Sequence, residues 1–247
     1  MPHASRPPVR LYCFPHAGSS SMVYRNWTAP EGAPLQVVGV DQPGRGPRAR
    51  EPRIADFPAL VRSLAEEVIA DVTKARQERG DLAYATFGHS FGATLSLVVG
   101  AAVARTLGEP PAAAVLSAAV PPRLRPDDDT IGLSDEELLA KIIADGGTPP
   151  GLLANATMAQ MVVRMMREDY VIRGQFPRDD TPWVDYPLTL VAAREDVHAR
   201  PEEVWRWSEH TTADCRRVEI DGGHFAAMRD PRKTLGIVAD AVWPGRG

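Results

Sequence analysis

The sequence predicts an α/β fold, with a mostly parallel central sheet, helices on both faces and a helical lid insertion. Three observations carry that prediction. Short apolar runs alternate with segments of helical period along the chain, the pattern of strands joined by crossover helices. Gly88-His89-Ser90-Phe91-Gly92 falls where one apolar run ends and a long helical pattern begins. Between about residues 125 and 185 the strand signal disappears and only helical patterns remain.

Residues 9–14 are the first β-leaning run, followed by a loop of small residues, Pro15-His16-Ala17-Gly18-Ser19-Ser20. Residues 35–40 are the second strand. The loop at 41–51 holds the breakers Pro43-Gly44-Arg45-Gly46 and the cations Arg45, Arg48 and Arg50. It reads either as a solvated turn or as a basic rim that meets an acidic partner or a phosphate. Leu60, Val61, Leu64, Val68, Ile69 and Val72 recur at helical spacing across 57–77. Residues 82–87 and 112–118 read as strands, and 93–107 as an apolar helix closed by Gly108. Ser134 and Glu137 have capping-box spacing and open a helix through Ile143, which Gly146-Gly147-Thr148-Pro149-Pro150 stops. A further helix is expected at 157–176, a strand at 186–193, a helix at 202–210 and the last strand at 215–220.

A chain of 247 residues, 44% hydrophobic and 24% charged, suits one large domain over 9–247, with the insertion at about 125–185. Residues 1–8 read as a flexible lead-in without the apolar core of a secretory signal. A net charge of −4 argues against a nucleic-acid partner. No apolar run reaches membrane-spanning length, so no membrane partner is expected. Cys13 and Cys215 lie far apart with no ligand spacing, so a reduced, cytoplasmic protein without a metal is expected. Cys13, inside an apolar run, reads as a core thiol.

Ser90 is the centre of the chemistry. A serine hydroxyl becomes a nucleophile when a sharp strand-to-helix turn holds it out and a base takes its proton; flanking glycines let the backbones pass. The new helix also aims its first N–H groups at developing negative charge. His224 stands in Asp221-Gly222-Gly223-His224-Phe225 after the last strand, and Asp196 follows the strand before it. The order Ser90, Asp196, His224 suits nucleophile, orienting acid and base. Glu195 is the rival to Asp196. His16 is a rival base that would break this chain order. The loop after the first strand and the residue after the nucleophile supply oxyanion N–H groups in such a site, which gives Ala17 and Phe91. His89 adjoins Ser90, so its ring cannot easily fold onto that hydroxyl. His198 and His210 flank a helix and read as solvated. The insertion would lie over the nucleophile as a lid. Its Met158, Met161, Met165 and Met166 either line an acyl channel or pack the lid on the body. Met161 and Met165, with His16 and Phe225, are the candidate substrate contacts.

Leu11-Tyr12-Cys13-Phe14-Pro15-His16-Ala17-Gly18, Pro43-Gly44-Arg45-Gly46, Gly88-His89-Ser90-Phe91-Gly92-Ala93 and Gly222-Gly223-His224-Phe225 together resemble the type II thioesterases of non-ribosomal peptide and polyketide synthetases. Gly146-Gly147-Thr148-Pro149 and Trp207-Ser208-Glu209-His210-Thr211 extend the resemblance over nearly the whole chain. It implies an α/β-hydrolase fold, a mobile helical lid and hydrolysis of mis-loaded acyl or aminoacyl thioesters on the phosphopantetheine arm of carrier proteins. It implies a Ser90 acyl-enzyme, with Asp196 and His224 at the acid and base positions and Ala17 and Phe91 at the oxyanion positions. No cofactor is implied, and a monomer is expected. Carrier docking is expected near Arg45, Arg48, Arg50 and the lid. Ser19 departs from a usual glycine, Ala226 from a usual aromatic, and Met165-Met166-Arg167-Glu168-Asp169 follows the usual lid pattern loosely. An acyltransferase or product-releasing cyclase would use the same three residues. A general carboxylesterase and a non-catalytic binding protein are the remaining readings.

Overall fold

In β1 (Val9–Phe14), Tyr12 and Phe14 enter one apolar core, while Val9, Leu11 and Cys13 enter another on the opposite side. That two-residue alternation, apolar on both faces, is what a central strand of a parallel sheet requires. Burial pushes the Cys13 thiol well above its usual pKa, as befits a core thiol. The computed structural model describes residues 7–125, 129–179 and 181–245. Of the expected lead-in, residues 1–6 lie outside the described residues, as do 126–128 and 180 of the expected insertion.

Five further strands follow: β2 (Leu35–Gly39), β3 (Ala83–His89), β4 (Ala114–Ser117), β5 (Leu188–Ala193) and β6 (Cys215–Ile220). All pair in parallel, in the order β2-β1-β3-β4-β5-β6. The α/β class expected from the sequence is therefore the class observed. The chain winds outward from β1 to β2 and then crosses back to β3. Loops leaving β1 and β3 diverge, and open α/β sheets bind ligands in the crevice so formed.

The helices end where their caps dictate. Asp56 accepts from the Ala59 N–H at 2.8 Å to start α1 (Phe57–Arg79), whose Leu60, Leu64, Val68 and Val72 are buried. α2 (Phe91–Leu107) stops at Gly108, left-handed at φ 71°. Between β4 and β5 the chain forms α3 (Asp135–Asp145), α4 (Pro150–Leu153) and α5 (Ala156–Gly174). The expected capping box opens α3, with Ser134 and Glu137 exchanging bonds of 3.2 and 2.8 Å. Leu138, Ile142, Val162, Val163 and Met166 join the core under α1, so the inserted helices share the body's apolar interior.

The expected single helix over 202–210 needs correcting. α6 (Pro201–Val204) gives way to a tighter 3₁₀ segment, Trp205–His210. There the fully buried Trp207 indole donates to the Ala119 carbonyl at 2.9 Å, and His210 is buried beside it instead of solvated. After β6 come α7 (Ala226–Arg229) and α8 (Pro231–Val242). α8 covers the second face with Leu235, Ile237 and Val238, and its start is capped by Asp230 on the Lys233 N–H at 3.0 Å.

Two glycines test this packing from opposite sides. A Cβ on Gly92 would collide with the Phe14 carbonyl, which belongs to a central strand and cannot move aside. Gly92→Ala should lower unfolding stability by about 2–3 kcal/mol or more. Gly236, inside α8, has open space around it, so Gly236→Ala should raise stability by about 0.5–1 kcal/mol. Urea denaturation of both variants checks the pair.

Candidate active site

Strand β3 gives way to Ser90, which departs from strand geometry with φ 55° and ψ −120° and is the N-cap of α2. Positive φ costs a serine energy, and the surroundings hold it there. Ser90 N–H donates to the Ser117 carbonyl at 2.8 Å, and Ala93 N–H returns to the Ser90 carbonyl at 3.0 Å. Side chains at Gly88 or Gly92 would strike the first turn of α2 and the end of β1 respectively. The turn is possible because those two positions are glycine.

The carboxyl ends of β5 and β6 bring the candidate acid and base together. His224 Nδ1 and Asp196 Oδ2 are 2.8 Å apart. Asp196 is buried, and its other oxygen accepts from the backbone N–H groups of His198 at 2.8 Å and Ala199 at 3.0 Å. Glu195 is exposed and makes no such contact with His224, so the geometry favours Asp196 between the two.

Ser90 and His224 open on one cavity of about 380 Å³, walled also by His16, Ala17, Phe91 and Phe225. The inserted helices contribute Ile142, Met166 and Tyr170 to it. Two expected contacts need correcting. Met161 is exposed on α5, and Met165 packs against the core; neither lines the cavity. The helical turn carries Met166 inward instead. His198 is exposed, as expected, and also lines the cavity: its ring lies edge-on to His224 at 5.3 Å, and Nε2 is 3.1 Å from Asp145 of α3.

The other two histidines are apolar-environment groups. His89 is fully buried, contacts the Ser117 hydroxyl at 3.2 Å and packs 5.2 Å from the His224 ring. Burial, then the neighbouring His224 and His16, push its pKa well below the usual value. His16 lies 3.0 Å from the Ala17 carbonyl, and burial lowers its pKa to about 4. A ring so reluctant to take a proton is poorly suited to be the base.

Arg45, expected on a docking rim, is instead buried, and its guanidinium meets Asp169 of α5 at 2.5 Å. A glycine-rich turn folds that arginine inward under the inserted helices. Among the described residues no group of three or more His, Cys, Asp or Glu is placed to hold a metal ion. No helix among them is long and apolar enough to cross a membrane.

A six-stranded parallel sheet, a serine on a strained strand-to-helix turn and a cavity at the carboxyl edge define the α/β-hydrolase class. The family model for the thioesterase domain matches residues 9–242. Thioesterase PikA5 of Streptomyces venezuelae is 29% identical over 239 residues, 97% of this chain and 83% of that one. RedJ is the thioesterase of the prodiginine pathway in Streptomyces coelicolor. With a PEG molecule in its active site, it is 30% identical and superposes with a TM-score of 0.79, over 96% of this chain and 94% of that one. BorB, the type II thioesterase of the borrelidin cluster, is 29% identical with a TM-score of 0.78, covering 96% of each chain. The chain belongs to the thioesterase family, among the type II thioesterases of non-ribosomal peptide and polyketide pathways.

The buried histidines give the protein a pH signature. An unfolded histidine takes a proton near pH 6.5, whereas folded His16 resists until about pH 4. Between those values the unfolded state holds more protons, so stability must fall as pH falls. His16 alone should account for about 2 kcal/mol of loss between pH 7.5 and pH 5. Urea titrations at both pH values should show that loss reduced by a similar amount in His16→Gln.

Proposed function

We propose that this enzyme hydrolyses acyl and aminoacyl thioesters on the phosphopantetheine arm of carrier proteins, clearing mis-loaded or stalled groups from an assembly line. The observation that carries the reading is the Asp196–His224 pair opening on the same cavity as Ser90. With Asp196 on Nδ1, the His224 tautomer leaves Nε2 free to act as base. Ser90 Oγ attacks the thioester carbonyl carbon as His224 takes its proton. The resulting oxyanion receives the Ala17 and Phe91 N–H groups. The C–S bond breaks, His224 returns the proton to the departing thiol, and Ser90 is left acylated. Water, deprotonated by His224, attacks that ester, and the free acid leaves as Ser90 regains its proton. No cofactor enters any step. The inserted helices act as a lid over this cavity, within a single domain. Two cysteines outside any disulfide are in keeping with a cytoplasmic enzyme.

Release of free acid from acetyl- and aminoacyl-carrier protein, beside matched coenzyme A thioesters and a simple ester, tests the reading. The carrier substrates should be preferred, and Ser90→Ala should abolish release. Asp196→Asn should lower kcat by about 10⁴-fold, because the imidazole tautomer is lost. Acylation of Ser90 without release of acid would turn the reading to acyl transfer. No acylation at all would overturn it.

Carrier recognition by charge now rests on fewer cations. Arg48 engages Glu51 and Glu67 at 2.6 and 2.8 Å, while Arg50 is exposed. Arg50→Glu should raise KM for carrier-bound substrate by about 2- to 5-fold and leave small thioesters unaffected. Equal effects on both would remove this loop from the docking surface.

A further inference from the structure

Asp169 is a carboxylate of helix α5 with no exposed surface, and its bonds join three separate segments. Its Oδ2 accepts from the Gly18 N–H at 2.7 Å and from Arg45 Nη1 at 2.6 Å. Its Oδ1 accepts from Arg45 Nη2 at 2.5 Å and from Gln42 Nε2 at 3.2 Å. Four donors thus fill a buried carboxylate, and Arg45 balances its charge. The guanidinium goes further, donating to the carbonyls of Ser19 and Met165, each at 3.2 Å.

All of this converges on loop 15–20. Ser19 donates to the His16 carbonyl through its hydroxyl at 2.7 Å and its N–H at 3.3 Å. That carbonyl is the far end of the peptide group that carries the Ala17 N–H. The next peptide, between Ala17 and Gly18, is bound at both ends: His16 Nδ1 at 3.0 Å from the Ala17 carbonyl, and Asp169 on the Gly18 N–H. Gly18 is left-handed at φ 73°, and a Cβ there would lie 2.9 Å from Met166 Cε on α5. The loop is therefore pressed against α5 and hydrogen-bonded to it.

We propose that Asp169, with Arg45, is a positioning residue for the thioesterase reaction: the pair clamps loop 15–20 so that the Ala17 N–H points at the oxyanion. The proposal rests on the oxyanion role given to Ala17 above. An oxyanion donor acts only if it is aimed before charge develops, and a displacement of about 1 Å costs about 100-fold in rate. A loop carrying Ala17, Ser19, Ser20 and a left-handed glycine has little stiffness of its own. Asp169 and Arg45 supply it from outside.

The test uses two variants of the full chain. Asp169→Asn unbalances Arg45, whereas the double variant Arg45→Met/Asp169→Leu removes the clamp and both charges together, a swap that buried ion pairs often tolerate. The double variant should melt cooperatively and hydrolyse acetyl N-acetylcysteamine with KM within about two-fold of the unmodified enzyme, but with kcat lowered by about 100-fold. A trifluoromethyl ketone analogue, which forms a tetrahedral adduct on Ser90, should lose affinity in parallel, while an unreactive thioether analogue binds as before. A merely structural role would not separate the two ligands. A folded variant whose kcat and ketone affinity stay within about three-fold of the unmodified enzyme overturns the clamp. Should neither variant fold, the Gly18 amide proton of glycine-labelled unmodified protein decides. It should stand downfield, bound to a carboxylate, and shift when the ketone adds; an ordinary, unmoved resonance overturns the clamp. If the unmodified protein turns over no thioester, the functional reading falls, and ketone affinity alone judges the clamp.

Discussion

The structure depends on one close approach, that of the start of α2 to the end of β1. Gly92 passes so near the Phe14 carbonyl that no side chain fits between them, and Gly88 gives α2 the same clearance on its other side. Two consequences follow from that contact. Ser90 is pushed into a positive φ, which lifts its hydroxyl out of the sheet. Loop 15–20, which leaves β1 at that point, is brought to the same cavity as Ser90. The strain at Ser90, of order 1–3 kcal/mol, is offset by the buried length of α2 and by the ladder bond from Ser90 to Ser117. The Phe14 carbonyl is itself held by the Tyr24 hydroxyl at 2.8 Å, so the surface that Gly92 meets is fixed.

The other half of the site comes from the far strands. β5 and β6 run parallel in register, and their carboxyl ends set Asp196 and His224 within hydrogen-bond reach. Around His224 the environment is arranged by what does not carry charge. His16 and His89 are held neutral by burial at working pH, so no fixed positive charge from either ring opposes an imidazolium at His224. The buried Asp196 carboxylate is fixed by two backbone donors on the oxygen that does not meet His224.

Much of this was legible in the sequence, for definite reasons. Strands of a parallel sheet are apolar on both faces, so β1 and β5 stand out as runs. Glycines forced by contact, such as Gly88 and Gly92, mark the turn because no other residue serves. The misreadings share another cause: their determinants are distant in the chain. Arg45 in a glycine-rich turn looks the same whether it faces water or a carboxylate 124 residues away. Among the methionines of α5, one step of about 100° separates Met165 from Met166, and only the packing of the whole helix decides which faces the cavity. The segment after α6 tightens to 3₁₀ beside Trp207, whose partner on the β4 side no local pattern announces.

The inserted helices are held unequally, and the inequality bears on how a substrate can enter. α5 is joined to the body by the buried Asp169–Arg45 pair, by Glu168 on Arg53 at 2.5 Å, and by Gln175 on the Phe57 N–H and the Ala55 carbonyl at 2.9 and 2.8 Å. Separating a buried pair of that kind costs about 3–5 kcal/mol, because a charge is left stranded. α3 makes its ion pairs on groups that solvent still reaches: Asp145 with His198 and Lys141, and Asp135 with Arg167 of α5. Such pairs contribute about 0–1 kcal/mol each. Apolar contacts of Leu138 and Ile142 hold α3 down, but these are non-directional and can re-form after a shift. Displacing α5 would release Gly18 and with it loop 15–20; displacing α3 would leave them bound. Of the two, α3 is therefore the less costly to displace, along the line where Asp145 meets His198 against His224, and such a displacement would leave loop 15–20 bound to α5.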